Sequence, residues 1–379
     1  MKKNFVFVCL CVLALALVVS CAEPEAEVKS YTVTFDSNGG SEVAAIVVKE
    51  GEKVAKPENP TKDGYVFGAW QLDGKDFDFS SVITADTKLV ASWIEIKHVK
   101  NLSEIQTTDG KFVTFGSDSA PNEPVTIDGN GLYIVDEWQD LWFSHDVTVK
   151  GIEFAKGVSF YAKEAEERTI TIEDCVIRHC DQKNDLLPKV DADANFRIDN
   201  SGNGLCLSID GKEKQTVNVV VRNCQLIGDN DNTQGRKDSW PTTADYTKNK
   251  SNASYGNFKG RGNGVGIGTA SGDGGPLFLK NAIIENCTFS GLRNAAIQIY
   301  TFNAPVSITG CTFKSWGINS DEPTEDGKYE TYAVRGMVAT SHDDAKLTIK
   351  DCTFDSAKND YMCKITIRGQ EGEFKATIE

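Results

Sequence analysis

Positive charge is scarce in this chain: 40 Lys and Arg face 55 Asp and Glu, a formal charge of −15. Loss of Lys2 and Lys3 with an N-terminal signal would make it −17. A surface this negative excludes nucleic acid as a partner. Beyond the first 21 residues there is no apolar run long enough to span a bilayer, so no second membrane anchor of the helical kind is expected. Metal-binding spacing is missing too. There are eleven Cys, but five of them recur at the spacing of a repeat rather than as CxxC pairs, and no His or carboxylate joins them in register, which argues against a metal site.

What is present is an eight-residue phrase that returns seven times. The clearest copies are LTIKDCTF (347–354), VSITGCTF (306–313) and AIIENCTF (282–289). Looser ones are VVVRNCQL (219–226), ITIEDCVI (170–177), VTVKGIEF (147–154) and VTIDGNGL (125–132). Positions one and three are apolar, and positions six and eight are Cys and Phe in the best copies, so each half alternates at period two. The alternation breaks at position five, which is Asp351, Gly310, Asn286, Asn223, Asp174, Gly151 and Gly129. Gly, Asn and Asp accept a left-handed backbone at low cost. Position five is therefore expected to be a tight bend that returns positions six and eight to the same interior. Cys175, Cys224, Cys287, Cys311 and Cys352 share position six and read as a ladder of buried thiols. Cys180, Cys206 and Cys363 fall outside it and leave a disulfide open.

Copies starting at 125, 147 and 170 lie 22 and 23 residues apart, the length of one coil of three short strands. The third strand is supplied by GVSFYA (157–162), GLCLSID (204–210), GVGIGTA (264–270), AAIQIYT (295–301) and AVRGMVA (333–339). These residues resemble the right-handed parallel β-helix of the pectate-lyase-like superfamily, with its Asn-bearing corner and inward ladders of like side chains. The expected fold class is all-β: a right-handed parallel β-helix over 111–379, preceded by a small β-grasp-like domain. The resemblance speaks to fold and says almost nothing about chemistry.

Residues 1–21 carry Lys2 and Lys3, an apolar run and small Ser20 before Cys21, the pattern of a secretory signal. Its VVSC ending resembles a bacterial lipobox, with Val18 where Leu is preferred, and implies acylation at Cys21 and a lipid-anchored place in the cell envelope, at the outer membrane or cell surface of a bacterium. Residues 22–30 form a polar tether. Residues 31–93 differ in texture: YTVTFDSNGG (31–40) is a strand entering an Asn-Gly-Gly turn. With Gly64, Tyr65, Phe67, Trp70, Phe77, Asp78, Phe79, Asp86, Leu89 and Trp93 it resembles the Listeria–Bacteroides repeat, with Ala69 where that family carries Gly. Trp70 and Trp93 read as core. From 94 to 110, Val99, Leu102 and Ile105 stand at helical spacing, so a short helix capping the first coil is expected. FKATIE (374–379) reads as an uncapped edge strand.

The long irregular stretches 179–203, 228–263 and 315–331 all follow position eight of a copy, so they are expected to wall one groove. Its floor would carry Tyr161, Lys163, Ser208, Asp210, Gly266, Gly268, Gln298, Tyr300, Arg335 and Met337, and its walls Trp240 and Trp316. Tyr161, Lys163, Asp210, Gln298, Tyr300, Trp240 and Trp316 are the candidate ligand contacts, for an extended polysaccharide or a host-surface glycan. A lyase would need a base beside a cation that acidifies a uronate α-proton. Arg197, Arg236, Lys237, Arg261 and Arg335 are the candidates, with Ca²⁺ on Asp191, Asp193, Asp229 or Asp231. Against catalysis, the outward floor offers a single carboxylate, Asp210, where a hydrolase needs two or three, and the GHG and RIK signatures of polygalacturonases are absent. GRGNGVGIG (260–268) opens a β coil rather than a helix and implies no phosphate cradle. The expectation is a non-catalytic glycan-binding surface lipoprotein without cofactor, the alternative a polysaccharide lyase acting on an acidic glycan. Cys21→Ser should abolish incorporation of labelled fatty acid into the expressed chain and release it from the membrane fraction.

Overall fold

The computed structural model describes residues 29–162, 167–178, 203–209, 217–228, 263–267, 279–292, 295–314, 316, 332–339, 341–355, 362–367 and 370–379. The chain divides into two compact units: Gly64–Val66 with Glu95–Glu379 form one, and the remainder up to Ile94 forms the other. Both are all-β.

The smaller unit is a five-stranded sheet. Strand Ser30–Asp36 pairs antiparallel with Ile46–Lys49 and parallel with Thr87–Glu95, placing Phe35 opposite Leu89. Tyr65–Leu72 and Lys75–Asp76 complete the sheet. Asn38 and Gly39 turn the chain with φ of 48° and 86°, the positive values that an Asn-Gly pair accepts in a tight turn. Trp70 is 1% exposed and meets Phe35 edge-on at 4.9 Å, so it is core. Partly buried Trp93 donates its indole N–H to the Ser37 carbonyl at 3.0 Å. Ala69 is held within its strand by Ser92, whose Oγ accepts from the Ala69 N–H and donates to the Ala69 carbonyl.

The larger unit is made of three parallel stacks, which the chain visits in the same order seven times. The first stack pairs 125–128, 147–150, Arg168–Glu173, Val217–Arg222, Leu279–Glu285, Pro305–Thr309, Lys346–Lys350 and Thr377–Ile378. The second pairs Lys97–Val99, 133–135, 152–154, Val176–Arg178, Gln225–Ile227, Thr288–Ser290, Thr312–Phe313 and Thr353–Phe354. The third pairs Gln139–Phe143, Val158–Ala162, Asn203–Ile209, Asn263–Ile267, Ile297–Phe302, Val334–Val338 and Cys363–Ile367.

Between first and second stacks lies the bend at position five. Gly151, Asp174, Asn223, Asn286, Gly310 and Asp351 all have φ between 53° and 64°. The first copy differs. Its left-handed residues are Asn130 (50°) and Gly131 (71°), not Gly129. The corner there is wider, with the register jumping between Asp128 and Tyr133, and Asp128 Oδ1 accepts the Asn130 N–H at 2.9 Å. Leu132 consequently loses the inward place, and Tyr133 and Val135 align with Ile152 and Phe154. Gly129 is still constrained, because a Cβ there would lie 2.5 Å from the Gly151 carbonyl oxygen of the next corner.

Inward side chains form columns in one continuous core: Ile127, Val149, Ile172, Val221, Ile284, Ile308 and Ile349 in one, and the rings of Phe289, Phe313 and Phe354 in another, stacked at 5.0 and 4.7 Å. In-register parallel pairing puts like positions side by side, which for apolar groups gives close packing and for charges would give repulsion. Outward position four solves this by alternation: Asp128, Lys150, Glu173, Arg222, Glu285, Thr309 and Lys350 follow one another across the first stack. Lys150 meets Asp128 at 2.8 Å, Arg222 meets Glu173 at 3.1 Å and Glu285 at 3.9 Å, and Lys350 meets Glu379 at 3.4 Å. The Asp128 carboxylate raises the Lys150 ammonium above its ordinary value.

At the junction the expected capping helix is instead a strand, Lys97–Val99, and a single 3₁₀ turn, Leu102–Glu104. Three residues cannot complete an α-helical turn, and side chains satisfy the backbone instead. Glu104 accepts the N–H groups of Lys100 and Asn101, while buried Gln139 accepts from Leu102 and donates to the carbonyls of Lys100, Glu137 and Trp138. Leu102 and Ile105 still cover the first coil. At the other end FKATIE is two short pieces: Glu373–Phe374 pairs antiparallel with the third stack and Thr377–Ile378 parallel with the first.

Gly310→Val should destabilise the fold by about 2 kcal/mol, since a left-handed β-branched residue costs about 1–2 kcal/mol and its Cβ would lie 2.5 Å from Asn286 Oδ1. Gly310→Asn, which repeats the neighbouring corners, should cost less than half of that in urea denaturation.

Candidate functional site

The outward face of the third stack is the candidate surface, because the segments 179–202, 228–262 and 314–333 each connect a second-stack strand to the third-stack strand that follows. Its strands are anchored from beneath by Val158, Phe160, Leu205, Leu207, Val265, Ile267, Ile297 and Ile299, all fully buried. Period two then fixes what faces away from the core.

Two rows result. In the first, register brings together Asp140, Ser159, the backbone of Cys206, Gly266, Gln298, Arg335 and Lys364, one per coil. In the second, Trp142, Tyr161 and the backbone of Ser208 lie side by side. Gln298 and Arg335 are thus neighbours, as the alternation of residues predicts, but Tyr161 belongs to the other row and to a distant coil. Gln298 is not an open floor residue: it is 7% exposed, and Ser159 is 3% exposed. Arg335 and Lys364 are partly exposed cations on adjacent strands. Lys364 Nζ lies 3.8 Å from Glu373 and 5.3 Å from the centre of the Tyr332 ring.

Trp316 is no wall residue. It is 2% exposed and meets Phe313 and Phe354 edge-on at 6.5 and 6.2 Å, closing the column of stacked rings. Its large apolar area does more there than on a polar loop. Lys163, Arg197, Asp210, Arg236, Lys237, Trp240 and Arg261 lie outside the described residues, as do Cys21 and the proposed calcium carboxylates. Tyr300 falls within strand Ile297–Phe302. Sequence reasoning missed Asp140, Trp142 and Lys364. The first two were legible in WQDLWF (138–143), whose alternation marks the strand Gln139–Phe143.

Position six holds free thiols: Cys175, Cys224, Cys287 and Cys311 are buried and Cys352 is half-buried. Each Sγ sits 3.2–3.5 Å from the carbonyl two residues earlier and 3.6–3.7 Å from a carbonyl of the preceding coil. Burial pushes the Cys175 thiol well above its ordinary value. Among the described residues no group of three or more His, Cys, Asp or Glu is placed to hold a metal ion. Cys363 is a free thiol, so no disulfide closes on it.

A family profile matches residues 31–92. That segment is a Listeria-Bacteroides repeat domain. Two relatives come from Evansella cellulosilytica: one named "Putative Gly-rich membrane protein", 28% identical over 146 residues, covering 36% of this chain and 16% of the relative, and one named "Putative membrane protein", 30% identical over 134 residues, covering 32% and 20%. Both alignments are longer than the repeat domain, yet the chain spans a fifth or less of either curated relative. No solved structure matches the chain significantly. The relatives' names agree with a surface or membrane protein of the cell envelope. No helix among the described residues is long and apolar enough to cross a membrane.

Burial, with the Glu373 carboxylate second, pushes the Cys363 thiol up to about 12, against about 8.5 for an unfolded thiol. Above pH ~8.5 the unfolded chain loses this proton and the folded chain keeps it, so stability falls as pH rises toward about 12. Urea midpoints taken across that range should fall less steeply in Cys363→Ala than in the parent.

Proposed function

We propose that this chain is a lipid-anchored cell-envelope protein whose larger unit is a right-handed parallel β-helix of the pectate-lyase-like kind, and that it binds an extended polysaccharide or host-surface glycan on the outward face of the third stack without turning it over. The observation that carries this reading is positional: the segments 179–202, 228–262 and 314–333 each lead from a second-stack strand into a third-stack strand, so the long connections share one corner of the coil. A regular parallel face presents equivalent sites one strand spacing apart, about 4.7–4.9 Å, which suits a polymer lying across the strands. The repeat domain and the names of the relatives support an envelope location, and Cys21 is the acylation site.

A second reading has its own support. Gln298, Arg335 and Lys364 stand in one row, and a pair of adjacent cations is what a lyase uses to hold and acidify a uronate. Arg197, Arg236, Lys237 and Arg261 would then complete the site, with Ca²⁺ as the added cation. Incubation with pectate, alginate and glycosaminoglycans, monitored by ultraviolet absorbance of the unsaturated product, should give no rise. A calcium-dependent rise that disappears in Arg335→Ala or Arg236→Ala would replace the binding reading with the catalytic one.

A further inference from the structure

We infer that the first two coils carry a binding site for a neutral glycan, formed by Trp138, Asp140, Trp142 and Tyr161. This inference rests on the glycan-binding reading above and names the ligand class for one end of the face. In WQDLWF the inward residues Gln139, Leu141 and Phe143 are at most 5% exposed, which turns Asp140 and Trp142 to the opposite side, and Trp138 stands just before the strand. Asp140 is exposed and both tryptophans are partly so. Trp142 stacks on Tyr161 of the next coil with ring centres 4.6 Å apart and planes 16° apart. The Trp138 indole N–H donates to Asp140 Oδ1 at 3.0 Å. Alternate residues on a strand are about 6.6–6.8 Å apart, so the Asp140 carboxylate accepts from Trp138 and is the outward neighbour of Trp142 along the same strand.

None of these four side chains belongs to the buried core cluster. The core beneath is complete without these side chains, and two tryptophans left partly in water around a carboxylate are an apolar patch that marks a binding surface. A pyranose ring offers what the patch lacks: an apolar C–H face for the aromatic rings and hydroxyl donors for a carboxylate that can accept several hydrogen bonds.

Charge selects the kind of sugar. No Lys or Arg occurs between Lys111 and Lys150, while that interval holds seven carboxylates, Asp136, Glu137 and Asp140 among them. Asp136 is engaged with His98 at 2.9 Å, and the next coil brings Lys156 at the corresponding turn and Lys163 after Tyr161, the latter followed in sequence by Glu164, Glu166 and Glu167. A uronate or sulfated sugar would meet like charge here, whereas Arg335 and Lys364 lie at the other end of the face.

Affinity electrophoresis of the full mature chain through gels containing a linear neutral β-glucan, a neutral galactomannan, polygalacturonate or alginate tests this. Retardation by at least one neutral polymer is expected, with Kd raised about tenfold in Trp142→Ala and in the near-isosteric Asp140→Asn, and unchanged in Lys346→Ala, which alters an exposed lysine of the first stack. Asp140→Asn keeps the test valid if Trp142→Ala unfolds, and both are compared with the parent by thermal melting. Retardation by polyuronates alone, lost in Arg335→Ala but not in Trp142→Ala, would overturn this assignment while leaving glycan binding intact. Neutral-polymer binding indifferent to Trp142 and Asp140 would do the same. No retardation by any polymer would overturn both.

Discussion

The larger unit depends on a single backbone conformation that recurs at one place in six of its seven described coils. A left-handed residue between first and second stacks redirects the chain while keeping both flanking strands in parallel register with the coils before and after. Because the corners superpose, the side chains superpose, and columns of Ile, Cys and Phe follow as a matter of geometry. Gly, Asn and Asp are the residues that tolerate this conformation, so a handful of small polar positions governs the order of a core made entirely of other residue types.

The thiol column shows how that constraint shapes chemistry. A position that must be small, apolar and pointed at carbonyl groups of two coils is well met by Cys, whose S–H is a weak donor. Burial lifts the Cys175 thiol well above its ordinary value, which makes it a poor nucleophile and a poor metal ligand. Their number in the sequence is thus explained by packing, and the alternating charges on the outer surface follow from the same in-register pairing.

Much of this was legible in the sequence. Six of the seven bends, all five second-half Cys positions and the five expected third strands follow from residue alternation and from the propensity of Asp, Asn and Gly. The failures have local causes. Gly129 misled because the first corner is wider and uses Asn130 and Gly131; the junction helix failed because Gln139, remote in sequence, satisfies its backbone groups. Side-chain burial on the candidate face was least readable. Period two assigns Gln298 to the outside correctly, yet direction is not exposure, and whether a residue facing away from the core meets water depends on neighbours that alternation does not describe. Trp316 was misplaced for the complementary reason: its neighbours in sequence are polar, while its neighbours in space are the Phe313 and Phe354 rings.

The alternating carboxylates and cations along position four impose a parity on how this architecture can grow. Excising the coil that contains Arg222 would set Glu173 against Glu285, whereas excising the coils of both Glu173 and Arg222 would leave Lys150 facing Glu285. Duplication obeys the same arithmetic. Lengthening or shortening this stretch of the molecule is therefore electrostatically smooth by even steps and frustrated by odd ones, and Thr309, which is neutral, is the place where a single coil can be gained or lost without that penalty.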